Sequence, residues 1–306
     1  MSLEQRSAKR NAGWQDMATT VSREKLLFYA AAGGLGGFGA WGAAEPFLGI
    51  RFVYARDLLL GALVGLFIAA FLASIEALSV GQWRQAFKGA RSGAAIGAIG
   101  GALGLLVAET TFDLLGGLNG RILGWAVGGL AVGLGVGWAS GSMARRRNSA
   151  IGGVLGGALG GFFYQSLTST FPQAIGRAIA IVVLGALIGF FIGLVSELLK
   201  RAWLMVVRSQ SRNAREGREY PLVKPVMIIG RAEESDVGLF GDPGVLAHHA
   251  IIRREGKNFF VSATGGGQVV VNRQPISGRQ ILKSGDRIEV GGTLFLFRER
   301  AQAAGG

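Results

Sequence analysis

Six apolar stretches, at about residues 26–44, 58–78, 92–108, 121–141, 150–165 and 178–199, fill the first two thirds of the chain. Most approach the roughly 20 residues that carry an α-helix across a hydrocarbon core of about 30 Å. The third and fifth are shorter, and Arg91 crowds the start of the third, so these two could be re-entrant segments instead of full spans. Of the 52 glycines, 36 lie between residues 27 and 198. That density would unravel a helix in water, where each glycine costs about 1 kcal/mol relative to alanine. A bilayer tolerates it, because unsatisfied backbone groups are costly there and small residues let helices approach closely.

Basic residues between the stretches set the expected orientation. Arg6, Lys9, Arg10, Arg23 and Lys25 precede the first stretch, and Arg84, Lys88 and Arg91 follow the second. Arg145, Arg146 and Arg147 follow the fourth, and Lys200, Arg201, Arg208, Arg212 and Arg215 follow the sixth. Only Arg51, Arg56, Arg121 and Arg177 fall on the other side. The richer side is expected to be cytoplasmic, which puts both termini inside and requires an even number of spans. The expected location is a bacterial-type inner membrane.

The glycines also repeat. Gly129, Gly133 and Gly137 recur 56 residues later as Gly185, Gly189 and Gly193, and Gly61, Gly65 and Ala69 carry the same four-residue spacing. These positions predict close helix packing and three Gly-rich hairpins. Single-orientation hairpins in odd number differ from the inverted repeats common in secondary transporters.

Past the sixth stretch the pattern changes to short runs separated by turn residues, such as 225–229, 250–253, 258–262, 268–272, 286–290 and 293–298. Gly291-Gly292 reads as a two-residue hairpin turn, where glycine supplies positive φ. The expected organisation is an N-terminal segment over 1–25, a membrane domain over 26–208, a polar linker over 209–217, a β domain over 218–300 and a tail over 301–306.

The β region carries an ordered set of short motifs: Gly230-Arg231, Asp236-Val237-Gly238-Leu239, Val245 to Ala250, Val271-Asn272, and Leu282 to Ile288 with Gly285-Asp286. In this order they resemble the forkhead-associated (FHA) family. The resemblance implies an all-β two-sheet sandwich whose loops at one end bind phosphothreonine in partner proteins. It assigns a phosphate contact to Arg231 and structural roles to Gly230, His249, Gly285 and Asp286. It also departs from the family. Leu246 and Ala247 stand where the family has serine and arginine, and Thr264-Gly265-Gly266-Gly267-Gln268 replaces a loop that carries an asparagine. The candidate partner-binding set is therefore Arg231, Leu246, His248, Thr264, Gln268 and Asn272. Glu233, Glu234 and Asp236 are near enough in sequence to pair with Arg231.

Other chemistries find no support. The chain has no cysteine and two adjacent histidines, His248 and His249, so no metal set is expected. No nucleophile–base pair and no cofactor loop is visible, which argues against an enzyme and against a cofactor. The net charge of +13 is concentrated beside the apolar stretches, where topology explains it better than nucleic acid does. The expected role is a membrane-anchored adaptor or scaffold whose cytoplasmic FHA-like domain binds a protein partner without strict dependence on phosphothreonine. Expected partners are the bilayer and a cytoplasmic protein, with self-association of the bundle as a further option. The alternative is a channel- or transporter-like component regulated through the same domain.

Overall fold

The computed structural model describes the backbone of residues 23–115 and 117–300, and their side chains except at 112–117. Most of the N-terminal segment expected over 1–25, with its Arg6, Lys9 and Arg10, lies outside the described residues, as does the tail from 301 to 306. Six long helices come first: α1 (Arg23–Ala44), α2 (Val53–Ser79), α3 (Trp83–Leu115), α4 (Gly117–Ala139), α5 (Met143–Thr170) and α6 (Gln173–Leu198). Four of them, α2, α3, α4 and α6, are long and apolar enough to cross a membrane.

The helices containing the two short apolar stretches are the longest in the chain after all. α3 has 33 residues and α5 has 28. Each starts well before its apolar stretch, in the polar runs Trp83–Arg91 and Met143–Ser149. At 1.5 Å per residue α3 is about 50 Å long, more than the roughly 30 Å thickness of a hydrocarbon core. Helix ends are set by local chemistry. Gly81 and Gly141 adopt φ +74° and +66° after α2 and α4, the left-handed conformation that closes a helix C-terminus. Ser142 then caps α5, its hydroxyl accepting from the Arg145 amide at 3.3 Å.

Each helix packs on its neighbours in chain order, and α6 returns to α1, so the bundle is a closed ring. Glycines set the contacts. A Cβ added at Gly65 would strike the Gly97 carbonyl on α3, one at Gly133 the Ser149 carbonyl on α5, and one at Gly185 the Gly33 carbonyl on α1. Gly129 and Gly137 are likewise pressed against Gly153 and Arg146 backbone, and Gly189 against that of Tyr29. Gly193 is looser, facing the side chains of Tyr29 and Leu26 at 3.3 and 3.4 Å. The axis is filled by Val64, Ile68, Leu72, Val132, Val136, Leu184, Ile188 and Ile192, all buried.

Only residues 199–201 separate α6 from β1 (Ala202–Arg208). The remaining strands are β2 (Glu219–Pro221), β3 (Val226–Gly230), β4 (Val237–Gly238), β5 (Ala250–Glu255), β6 (Asn258–Ala263), β7 (Val269–Val271), β8 (Gln274–Pro275), β9 (Arg279–Leu282), β10 (Arg287–Val290) and β11 (Thr293–Glu299). They form a six-stranded sheet in the order β2-β1-β11-β10-β7-β8 and a five-stranded sheet in the order β4-β3-β5-β6-β9. Strands alternate their faces, so Thr293, Phe295 and Phe297 point inward from β11 onto Leu204, Val206, Ile229, Ile252, Val261 and Ile288.

This arrangement moves the expected domain boundary. β1 lies inside the six-stranded sheet, paired with β11 on one side and β2 on the other, so the β domain starts at about 202 and not at 218. The segment 209–217 is no linker: Ala214 is in the core, and Asn213 accepts from the Phe240 amide at 3.0 Å while donating to the Gly238 carbonyl at 2.8 Å.

The candidate recognition surface and its seat on the bundle

Gly230 ends β3 where the chain of the β4–β5 connection crosses directly over it. A Cβ there would strike the Ala247 carbonyl, which is why only glycine serves. With the two segments in contact, the Arg231 amide donates to the Leu246 carbonyl at 2.9 Å and the Ala232 amide to that of Ala247 at 3.1 Å. Arg231 is thereby fixed by its backbone while its side chain stays exposed.

His249 holds the next piece. It is buried, and its Nδ1 accepts from the Leu246 amide at 3.2 Å. That leaves the proton on Nε2, which donates to the Gln268 carbonyl at 2.9 Å. The ring lies over Gly267, where a Cβ would come within 2.7 Å of it. The Thr264 amide donates a hydrogen bond to the His249 carbonyl at 2.9 Å. One buried imidazole therefore ties the 246–248 segment to the 264–268 loop.

Arg231, Leu246, His248, Thr264 and Gln268 thus sit at one end of the sandwich, on the loops between β3 and β4, β4 and β5, and β6 and β7. His248 and Gln268 are exposed, and Leu246 is 37% exposed. Asn272 is not with them. It occupies the turn from β7 to β8 with φ +52°, donates to Asp286 at 2.9 Å and accepts from the Arg287 amide at 3.0 Å. Asp286 also accepts from the Lys283 amide at 2.7 Å, in a turn where Gly285 has φ +101°.

Two of the acidic residues near Arg231, Asp236 and Glu233, have partners elsewhere. Asp236 pairs with Lys224 at 2.6 Å and accepts from the Ile228 amide at 2.8 Å. Glu233 reaches the bundle: it accepts from the Arg84 amide in the first turn of α3 at 2.8 Å and lies 3.6 Å from the Arg84 guanidinium. A carboxylate suits that place, because unpaired amides give a helix N-terminus partial positive charge. Arg231 has no ion pair among the described residues.

The seat extends beyond Glu233. Gln82 donates to the Ser235 carbonyl at 3.0 Å and Gln85 to that of Glu233 at 2.6 Å. Arg218 donates to Ser79 at 3.0 Å, and Ser142 donates to the Val223 carbonyl at 2.5 Å. At the third point Lys200 bridges Glu197 at 3.0 Å and Glu219 at 2.5 Å, with its Nζ 4.3 Å from the Trp203 ring centroid. The loop bearing Arg231 is therefore anchored to the α2–α3 turn.

Residues outside the sequence-based set complete this end. Asp242 is buried and accepts from the Gly244 amide at 2.9 Å and the Gly292 amide at 2.8 Å, pinning the β4–β5 connection to the β10–β11 turn. An isolated aspartate beside Pro243 and Gly244 reads as an ordinary turn residue, and nothing local discloses its second partner 50 positions away.

Residues 213–301 match the family model described as the inner membrane component of T3SS, cytoplasmic domain. No curated protein sequence matches the chain. Among solved structures, an FHA domain characterised for phosphothreonine-dependent interactions is 25% identical, with 33% of this chain and 99% of that one covered and a TM-score of 0.29. The FHA domain of FhaA, solved with an intracellular domain of another protein, is 26% identical over 32% of this chain and 99% of its own, with a TM-score of 0.28. An FHA domain from Chlamydia trachomatis is 24% identical over 33% and 99%, with a TM-score of 0.29. The two-sheet sandwich, its ordered loop motifs and the family match agree: the C-terminal part of this chain is an FHA domain, a protein-binding module, joined to a helical region with four helices long and apolar enough to cross a membrane.

Proposed function

We propose that this chain is an inner-membrane adaptor, with six spans arranged as three Gly-rich hairpins and both termini cytoplasmic, whose FHA domain recruits a cytoplasmic protein without requiring phosphothreonine. The observation that carries the recruiting role is the exposed loop end formed by Arg231, Leu246, His248, Thr264 and Gln268. It offers a single guanidinium beside an exposed leucine and a glycine-rich loop. Phosphate recognition is stronger where several donors converge on the oxygens. An exposed ion pair by itself contributes about 1 kcal/mol or less.

The spanning arrangement is supported by three contacts between successive hairpins, each seated on a small residue: Gly65 on Gly97, Gly133 on Ser149 and Gly185 on Gly33. The three cytoplasmic ends of the hairpins would then be the α2–α3 turn, the α4–α5 turn and the end of α6, which are the places where the FHA domain is attached. The inner-membrane location is supported by the description of the matching family and by the four apolar helices. The adaptor reading is favoured over a channel because buried apolar side chains, among them Ile68, Leu72, Leu184, Ile188 and Ile192, pack together in the middle of the described bundle.

The test uses the full chain in detergent, titrated with phosphothreonine peptide libraries and their unphosphorylated counterparts. The expected preference is below about tenfold, equivalent to 1.4 kcal/mol. A larger preference that disappears in Arg231→Ala would overturn phosphate independence. In parallel, capture of a cytoplasmic protein from lysate should survive Arg231→Ala and fail with Leu246→Asp.

A further inference from the structure

The three consecutive arginines after α4 have three different environments. Arg145 turns into the bundle, where it pairs with Glu76 and donates to the Tyr29 hydroxyl at 2.9 Å. Arg146 sits over Trp138, with its guanidinium carbon 4.0 Å from the ring centroid. Its Nε is buried without a hydrogen-bond partner. Arg147 is exposed. Among the described residues, neither Arg146 nor Arg147 has a carboxylate within ion-pair distance.

The corresponding turn between α2 and α3 makes the contrast. It also exposes an aromatic, Trp83, beside a basic residue, Arg84, but there Glu233 of the FHA domain takes the guanidinium. At the α4–α5 turn the FHA domain contributes the Val223 carbonyl, to which Ser142 donates, and Lys224 near Gly141, whose own partner is Asp236; among the described residues no carboxylate of the domain pairs with Arg146 or Arg147. Two guanidinium groups are therefore left uncompensated beside Trp138 and Met143, which are 54% and 75% exposed.

We infer that Trp138, Arg146 and Arg147 form a site for the phosphate of an anionic phospholipid headgroup. A guanidinium stacked on an indole face keeps its in-plane N–H edge free, and that fork matches the geometry of a phosphate. Tryptophan at the end of an apolar helix lies at headgroup depth, apolar ring inward and N–H outward. Gly137 fixes the geometry, since its missing side chain lets the Arg146 backbone press against α4. The inference rests on the spanning arrangement proposed above.

The experiment takes the purified full chain in neutral detergent and titrates short-chain phosphatidylglycerol, phosphatidylcholine and inorganic phosphate. Retained lipid is read by native mass spectrometry, and the unfolding midpoint is followed alongside. Phosphatidylglycerol should bind and raise the midpoint. Arg146→Gln should weaken that binding about fivefold, the scale of one basic residue near an anionic surface. Arg146→Lys and Trp138→Leu keep the charge but remove the fork or the ring beneath it, and should also weaken binding. Arg253→Gln, on the exposed surface of the FHA domain, should bind as the native chain does. Equal retention of phosphatidylcholine, or native affinity in Arg146→Gln and Arg146→Lys, would overturn the site. Inorganic phosphate reproducing the midpoint shift at equal concentration would overturn the lipid assignment. Flotation with vesicles separates the two proposals: a native chain that floats with neither phosphatidylcholine nor phosphatidylglycerol vesicles refutes the spanning arrangement, whereas flotation with both leaves the affinity comparison to decide the headgroup site.

Discussion

The bundle and the FHA domain use side-chain volume in opposite ways. In the bundle, helix backbones touch where side chains are missing, at Gly65 on Gly97, Gly129 on Gly153 and Gly185 on Gly33. In the FHA domain the core is built from large side chains, with Phe295 and Phe297 fully buried between the sheets. Under the membrane arrangement proposed above, the difference follows from the solvent each region meets. Lipid gives no advantage to burying one apolar side chain on another, so helices associate through close packing of backbones. Water rewards burial of apolar area, at about 25 cal/mol per Å². A single chain therefore carries two sets of vulnerable positions, and they do not overlap.

The largest test of that contrast is where the FHA domain can be cut. A fragment of residues 218–300 lacks β1, and with it Ala202, Leu204 and Val206 of the core. It should show no cooperative unfolding by circular dichroism, while a fragment beginning at Arg201 should fold. Cooperative melting of the shorter fragment would show that β1 belongs functionally to the bundle. Next, Phe297→Ala should cost the FHA domain about 3–5 kcal/mol, measured by chemical denaturation of the longer fragment. Gly133→Leu should instead act on the bundle, costing about 1–3 kcal/mol by overpacking and lowering its thermal stability in detergent. Unchanged bundle stability in both Gly133→Leu and Gly189→Leu would remove the case for backbone-close packing.

Smaller effects probe the seat between the two regions. His249→Ala removes two loop hydrogen bonds and should destabilise the FHA domain by about 1–3 kcal/mol, with faster amide exchange over 246–248 and 264–268. Glu233→Gln should cost only about 0.3–1 kcal/mol, the scale of a charge at a helix N-terminus. Its signature is local: amide exchange should rise at Arg84 and along 231–236 and stay unchanged at β11. Exchange rising throughout the FHA domain would mean that the domain depends on the bundle for its own stability.

How much of this was legible in sequence varied with the range of the interaction. The β-hairpin at Gly291-Gly292 was readable, and the structure pairs Val290 with Thr293 across it. β1 was not, because Trp203, Leu204, Met205 and Val206 are apolar on both faces and follow an apolar helix closely. Without alternation the run reads as a continuation of α6. By its place after a family-like valine Asn272 reads with the recognition loops, but the turn at φ +52° puts it at the other end of β7. His249 was assigned a structural part by resemblance, and its two bonds to Leu246 and Gln268 supply the geometry.

What the sequence determined by itself is whatever a local rule encodes. Apolar length specified helices, four-residue glycine spacing marked their close faces, and motif order indicated the FHA fold. The tertiary structure alone decided which of Arg145, Arg146 and Arg147 turns inward, that Glu233 leaves Arg231 for the first turn of α3, and that Asp242 joins two loops 50 residues apart. Each of these depends on a partner far along the chain. A charged side chain has the same local sequence whether it meets water, a helix end or an opposite charge, so only the folded neighbourhood distinguishes them.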